Sequence, residues 1–387
     1  MPYETILSRG PRQHFFGYYG ISPWDPSGPR HLALETDFHD RRPTRGDCAR
    51  VGLLTAATGE FEPYAITSAF NFQQGAMLHW ITAGPVPEFT FNDWAGDRLV
   101  ARAISPANGA RRTLGGAIAA VAPTAPHAIA LNYARMFHCR PVVGYANDLY
   151  PRECLVPQPR DDGLWHLDLA TGACRLLLSI GDLLARHPCA LAPGALAWFN
   201  HVCFSPDGAR LMFFCRLRHG GRRLDSLWLL EADGTNLREI IPFGRKVSHY
   251  VWLDARRLLV STDVLGPMRF VTWDLASGRF APFGGNALPA DGHPALSPDG
   301  QWLVCDTYPR GPERRAELLL YRLADGQCAS VGGWVHPEPF SGDIRCDLHP
   351  RWRPDSRAVT FDSVASGSRQ IHEVLFSFAE LGEGKGT

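Results

Sequence analysis

Apolar runs along this chain are short, rich in aromatic and β-branched residues, and interrupted again and again by the same turn chemistry. Three times one run ends, a Pro-Asp turn follows and another run begins: Phe204-Ser205-Pro206-Asp207-Gly208, Leu296-Ser297-Pro298-Asp299-Gly300 and Trp352-Arg353-Pro354-Asp355-Ser356. Pro presets φ at the first turn position, Asp bonds its own backbone, and Gly takes the left-handed conformation, so two strands are joined tightly. Each unit predicts a hairpin.

Weaker copies of this grammar start near Ser22-Pro23-Trp24-Asp25, Trp80, Ala128 to Asn132, Val202, Tyr250, Pro294 and Pro350. Their spacing of roughly 45 to 55 residues is that of a four-stranded blade. A second signature, an apolar run closed by an acidic residue and a glycine, recurs at Leu164 to Gly172, Leu227 to Gly234 and Val271 to Gly278, and reads as an outer hairpin. Period-2 alternation predicts strands throughout, and only Ile180 to Arg186 reads as a short helix. The expectation is an all-β fold, a seven-bladed β-propeller forming one domain over residues 1–387. Tyr3 to Leu7 is expected to complete the last blade beside Ile371 to Ser377, leaving no free sheet edge.

Composition narrows the function classes. With 39 basic against 39 acidic residues and the arginines dispersed among acids, the chain lacks the basic stripe of a nucleic-acid binder. No apolar run reaches membrane-spanning length. The first residues, Met1 to Arg9, lack the basic and apolar regions of a secretory signal, so a cytoplasmic location is expected. The ten cysteines have no short-spaced framework and read as buried thiols, with Cys346 set apart.

Candidate chemistry concentrates in histidines at blade starts, which in a propeller converge on one funnel from distant parts of the sequence. Four units place one there: Asn200-His201-Val202, Ser248-His249-Tyr250, Asp291-Gly292-His293-Pro294 and Cys346-Asp347-Leu348-His349-Pro350. A lone histidine before a strand is ordinarily a satisfied structural residue. Four in equivalent positions, with a cysteine three residues before the last, point to a divalent metal. Cys346 and His349 would supply two ligands and His293 a third, with His249 either a fourth ligand or an acid or base over the substrate. The competing reading makes Cys346 core and lets His349 bond a backbone carbonyl.

The order Ser248-His249, Asp291-Gly292-His293-Pro294, Cys346-Asp347-Leu348-His349-Pro350-Arg351-Trp352 resembles the oligogalacturonate lyases, cytoplasmic seven-bladed propellers that cleave uronate oligosaccharides, and is similar to the propeller ulvan lyases. The likeness covers mainly Asn200 to Phe376. In that family a glutamine, two residues, histidine, proline, histidine motif binds manganese. The resemblance aligns Cys346 with the glutamine, Arg351 with the second histidine, His293 with the first ligand and His249 with the histidine beside the substrate. The softer donor set shifts the expected metal toward zinc, with manganese the alternative. The family's arginine base, placed just before an outer-strand tryptophan, is replaced by Ser226, so Arg216, Arg218 or Arg222 would have to substitute, or the chemistry differs.

β-Elimination from a uronate requires loss of the C5 proton beside a neutralised carboxylate, then protonation of the leaving oxygen. His249, Tyr250, His201, Arg216 and Arg218 are the expected catalytic groups. Tyr18, Gln74, His79, Asn132 and Arg135 are the expected contacts to an acidic oligosaccharide, since amides, aromatics and arginines serve sugar edges and faces. Two alternatives stand beside elimination: hydrolysis on the same propeller, and a non-enzymatic TolB-like or WD-type binding scaffold.

Overall fold

The structure, a computed structural model, describes residues 3–26, 28–149, 155–187, 195–219, 221–338 and 340–376. After β1 (Tyr3–Ile6) come β2 (Gln13–Phe15), β3 (Arg30–Thr36), β4 (Ala49–Thr55) and β5 (Glu60–Thr67), then β6 (His79–Ile81), β7 (Glu88–Ala95), β8 (Arg98–Ile104) and β9 (Arg111–Leu114). The third quartet is β10 (Ile118–Val121), β11 (His127–Ala130), β12 (Gly163–Asp168) and β13 (Cys174–Ser179), and the fourth is β14 (Leu196–Phe204), β15 (Arg210–His219), β16 (Arg222–Glu231) and β17 (Arg238–Ile241). There follow β18 (Val247–Trp252), β19 (Arg257–Thr262), β20 (Arg269–Asp274) and β21 (Phe280–Pro282), then β22 (Pro294–Leu296), β23 (Trp302–Asp306), β24 (Arg315–Arg322) and β25 (Cys328–Val335). The last sheet holds β26 (Arg351–Trp352), β27 (Ala358–Ser363) and β28 (Gln370–Leu375), with β1 as its fourth strand. Seven four-stranded sheets make a seven-bladed β-propeller, as the turn grammar predicts.

The expected turns do the joining. Ser205 to Gly208 links β14 to β15, Ser297 to Gly300 links β22 to β23, and Arg353 to Ser356 links β26 to β27. Asp207 and Asp299 each accept the hydroxyl of the preceding serine at 2.5 Å, and Gly208 and Gly300 take positive φ, so the side-chain chemistry of the turn is realised. The second signature is the third strand of a blade plus the turn into its outermost strand, at β12, β16 and β20. Two expectations shift. Ala128 to Asn132 is not a blade start: the first strand is Ile118–Val121, an Ala-rich run whose weak β-propensity hides it. Residues 132–135 begin the helix α1 (Tyr133–Cys139), capped by the Asn132 side chain. The short helix read at Ile180 is present as α2 (Ile180–Ala185).

The chain divides into two compact units. One comprises Met1–Arg42, Arg50–Ala65 and Ser248–Thr387, the other Pro43–Ala49 and Ile66–Val247. In the first, Trp302, Leu318, Trp334, Trp352, Phe361 and Val374 form a continuous core between neighbouring sheets, and the indole of Trp352 donates to Ala295 O across them at 2.9 Å. In the second, Ile81, Leu114, Ile118, Leu167 and Leu169 do the same. Among the described residues no helix is long and apolar enough to cross a membrane.

β1 closes the last sheet by antiparallel pairing, Tyr3 opposite Leu375 and Ile6 opposite His372. Leu7 N donates to Ile371 O at 2.8 Å, and the Glu4 carboxylate accepts from His372 Nδ1 and from the Trp334 indole, each at 2.7 Å. Deleting residues 1 to 8 strips the β28 edge and exposes the face under Leu7. A fall in melting temperature of about 10 °C and a rise in aggregation are expected by calorimetry and light scattering. An unchanged melting curve would show that the pairing contributes nothing to stability.

Candidate metal centre

His293 stands in the turn before β22, and Asp306 ends the neighbouring β23. Asp306 is buried, and its carboxylate accepts His293 N at 2.7 Å and His293 Nδ1 at 2.9 Å on both oxygens. The chain can pass this close because residue 292 is glycine: a Cβ there would sit 2.2 Å from Asp306 O. The same carboxylate takes His349 N at 3.1 Å from the next sheet, and His349 has φ of 48°, a left-handed conformation that costs a non-glycine residue on the order of 1 kcal/mol or more. Strain of this kind persists only where the surroundings fix it, and Asp306 fixes it.

His293, Asp347 and His349, all buried, bring one donor atom each to within 4.8 Å of one another. Nδ1 of His293 donates to Asp306, so in the neutral imidazole Nε2 keeps its lone pair, the carboxylate–imidazole arrangement that orients a metal ligand. His249, on β18, packs against His293 with ring centroids 4.1 Å apart and bonds Asp291 Oδ1 through Nδ1 at 3.0 Å. Tyr19 touches all three imidazoles, with centroids 5.5, 5.2 and 6.0 Å from His249, His293 and His349. Tyr18 lies against Tyr19 and, at 6.4 Å, His349.

Charge in this place is finely divided. Burial pulls the His293 pKa down, but Asp306, Asp347 and Asp291 together carry it above the ordinary value. His349 is held well below, first by burial and then by His293 and Arg351, and His249 is lowered by burial and by His293. Burial would raise Asp291, yet His249 and Ser248 bring it down to about 2. Tyr308, its ring 5.6 Å from His293, is kept firmly protonated by burial and by the same three carboxylates. Three acids around three imidazoles form a place for a cation.

Cys346 stands apart from this donor group. Its side chain packs with Phe340, Val364 and Ile344, and burial pushes its thiol up to about 12, so it stays a neutral S–H. The third donor is its neighbour Asp347. Asp347 meets His349 and His293 in the donor group while Cys346 joins the apolar cluster, so the two neighbours serve different surroundings. Arg351 is buried and committed to Asp362 at 2.7 Å and Tyr18 O at 3.3 Å. Asp291, Asp306, Tyr19, Tyr308 and Arg345, whose Nε reaches Asp347 at 2.8 Å, complete the surroundings and were not singled out by sequence. The Asp-x-His spacing at 291/293 and 347/349 is a signal that could have found two of the acids.

Tyr250 follows His249 on β18 and is buried, with strand alternation directing it to the other face. Gln74, His79, Asn132, Arg135, His201, Arg216 and Arg218 belong to the second unit. His201 falls inside β14 rather than before it, in a bulge with φ of 52°, its ring 5.5 Å from Phe214. Arg216 is buried against Asp225 at 3.3 Å and lies over the Phe214 ring, while Arg218 donates to Cys139 O at 2.8 Å. Gln74 is buried and its backbone N–H donates to Asn71 Oδ1 at 2.7 Å. Asn132 caps α1 and donates to Asp162 at 3.0 Å, and Arg135 donates to the carbonyls of Ala197, Val156 and Pro157. His79 is buried and its Nδ1 donates to Met77 O at 2.8 Å.

No protein-family profile and no curated protein sequence matches the chain. Solved structures do. The oligogalacturonate lyase of Vibrio parahaemolyticus superposes with a TM-score of 0.67 at 15% identity, over 97% of this chain and 94% of that one. An oligogalacturonate lyase in complex with manganese gives 0.64 at 15% identity, over 98% and 96%. The tricorn protease gives 0.54 at 11% identity, over 97% of this chain but 35% of that one. At these identities the likeness establishes the fold, and the expected resemblance to the oligogalacturonate lyases is met at that level.

His79 generates a prediction about pH. Burial brings its pKa from the ordinary 6.5 to about 4, so the folded protein holds it neutral while the unfolded chain protonates it. Its contribution is complete above pH 6.5 and is lost as pH falls toward 4, up to roughly 3 kcal/mol. Urea unfolding of the wild type between pH 7 and 4.5 should lose stability more steeply than that of His79→Gln. Parallel slopes would show that His79 does not carry this dependence.

Proposed function

We propose that this protein is a divalent-metal-dependent lyase that cleaves uronate-containing oligosaccharides by β-elimination. The observation that carries the reading is the buried His293, Asp347, His349 donor group backed by the Asp306 carboxylate. Two imidazoles and a carboxylate within 4.8 Å suit a borderline or hard divalent ion. The expectation of zinc rested on a thiolate, and with Cys346 buried as a thiol that ground is gone; manganese, which a neighbour of the same fold binds, is the better expectation. The chemistry such a cation contributes is Lewis-acid polarisation of the uronate carboxylate next to the carbon that loses its proton.

The chain's own groups supply the remainder. His249 holds its Nδ1 proton against Asp291, so Nε2 is the acceptor for the C5 proton, and Asp291 stabilises the imidazolium that results. In this reading His249, not Tyr250 or His201, is the base. Arg345 adds positive charge beside Asp347 for the substrate carboxylate, and Tyr308 or Tyr19 offers an O–H to the leaving oxygen. Tyr18 and Tyr19 present ring surface to a sugar face. The eight described cysteines are unbridged, which fits a reducing, cytoplasmic setting.

Titration of the purified, metal-stripped protein with manganese should give one site per chain by calorimetry. His293→Ala should lower affinity at least about tenfold, and Cys346→Ser should leave it unchanged. Loss of binding in Cys346→Ser would return the thiol to the ligand set.

Incubation with uronate oligosaccharides should generate ultraviolet absorbance from the conjugated unsaturated product. His249→Ala should reduce the rate by about two to four orders of magnitude. New reducing ends without absorbance would mean hydrolysis, and neither signal over a broad uronate panel would favour a binding scaffold.

A further inference from the structure

The second unit contains a cavity of about 600 Å³ between the β6–β9 and β10–β13 sheets, lined by Trp94 and Trp165, by the carboxylates of Asp97, Asp161 and Asp162, and by Asn132. Its volume lies in the range that encloses a small ligand. Both tryptophans are only half-buried, so indole surface is presented to the cavity rather than spent in the core. The Trp94 indole N–H is shielded from solvent and has no acceptor among the described residues, leaving a donor to be satisfied.

The charges decide what such a cavity takes. Of the three carboxylates that line it, Asp97 is paired with Arg45 at 3.1 Å, which leaves Asp161 and Asp162 with the guanidinium groups of Arg98 and Arg135. Arg135 is committed to the carbonyls of Ala197, Val156 and Pro157, and lies 4.0 Å from Asp162. Burial raises the Asp162 carboxyl above its ordinary value, and Asp161 adds a smaller push in the same direction, so burying a further carboxylate beside them is unfavourable. A carboxylate-bearing ligand would be repelled. Carboxylate and amide oxygens that accept hydroxyl protons, combined with aromatic faces that cover the C–H face of a ring, suit an uncharged polyol ring.

We propose that this cavity binds a neutral saccharide unit, making it a second carbohydrate site that discriminates against the acidic sugars assigned to the metal centre. The site stands on the lining of the second unit alone and does not depend on the metal-centre reading. Trp165 and Trp94 supply the stacking surfaces, Asp161 and Asp162 accept sugar hydroxyls, and the Trp94 N–H donates to a sugar oxygen.

Calorimetric titration of the intact protein with glucose, galactose, xylose and their neutral disaccharides, alongside galacturonate, tests the assignment. At least one neutral sugar should bind saturably with a Kd on the order of 1 mM, as suits a ligand of about a dozen heavy atoms. Galacturonate should not compete for that signal. Trp165→Ala should raise the Kd tenfold or more. Asp161→Lys, at an exposed position where folding is not at stake, should weaken the neutral sugar and introduce galacturonate binding. The proposal is overturned if no neutral sugar binds up to about 50 mM, if galacturonate competes equally in the wild type, or if both variants bind as the wild type does.

Discussion

One buried carboxylate organises the candidate centre. Asp306 sits at the end of β23, 2% exposed, and spends both oxygens on the two neighbouring blade starts: the backbone and ring of His293, and the backbone of His349. Without it, His349 would have no hydrogen bond to hold its left-handed backbone, and the His293 tautomer would be undetermined. A charge buried this deeply is tolerated only when its hydrogen bonds are complete. Completeness here means that two imidazoles from separate sheets are held at a ring separation of 4.2 Å before any ligand arrives. That is preorganisation through the backbone rather than through the ligands themselves.

A second buried pair sets the lid of the centre. Arg351 and Asp362 are essentially inaccessible, and Asp362 also accepts Gly17 N at 2.9 Å while Arg351 donates to Tyr18 O. The loop that carries Tyr18 and Tyr19 is thereby tied to β26 and β27 through main-chain atoms, leaving both rings to face the histidines. Arg351, which the sequence resemblance aligns with a metal-binding histidine, is therefore an anchor here and not a donor. A guanidinium has no lone pair to give a metal, and its fork of N–H groups matches a carboxylate and a carbonyl together.

The fold was legible because turn chemistry is local. Ser-Pro-Asp-Gly specifies its hairpin whatever surrounds it, and its two copies, with Arg-Pro-Asp-Ser at 353–356 and weaker units at blade spacing, admit few architectures. The site was only partly legible. His293 and His349 are legible because blade starts converge, but donor softness points to Cys346 as the ligand and leaves its neighbour Asp347 unconsidered. His201 was misplaced because a bulge inside β14 is invisible to a pattern of residue types. Asn132 and Arg135, expected as sugar contacts, cap a helix and clamp carbonyls, and both line the cavity of the second unit. Long-range pairings such as Asp306 to His349 or Arg351 to Asp362 leave no mark at all in a single sequence.

The exchange of a thiolate for a carboxylate changes the electrostatics as well as the metal preference. A thiolate at Cys346 would have placed a polarisable charge in an apolar cluster with Phe340 and Val364, where burial outweighs the attraction of Arg369 and Arg351. Asp347 instead lies within reach of Arg345, which shares the carboxylate and keeps its charge from being isolated. That sharing weakens Asp347 as a donor and at the same time puts a guanidinium next to the ion position. A centre built this way is suited to holding a modest-affinity cation together with an anionic substrate, since the cation and Arg345 both attract the same carboxylate. The negative charge on Asp291, Asp306 and Asp347 would exclude that substrate by itself, so in this arrangement cation and acidic sugar are expected to bind cooperatively.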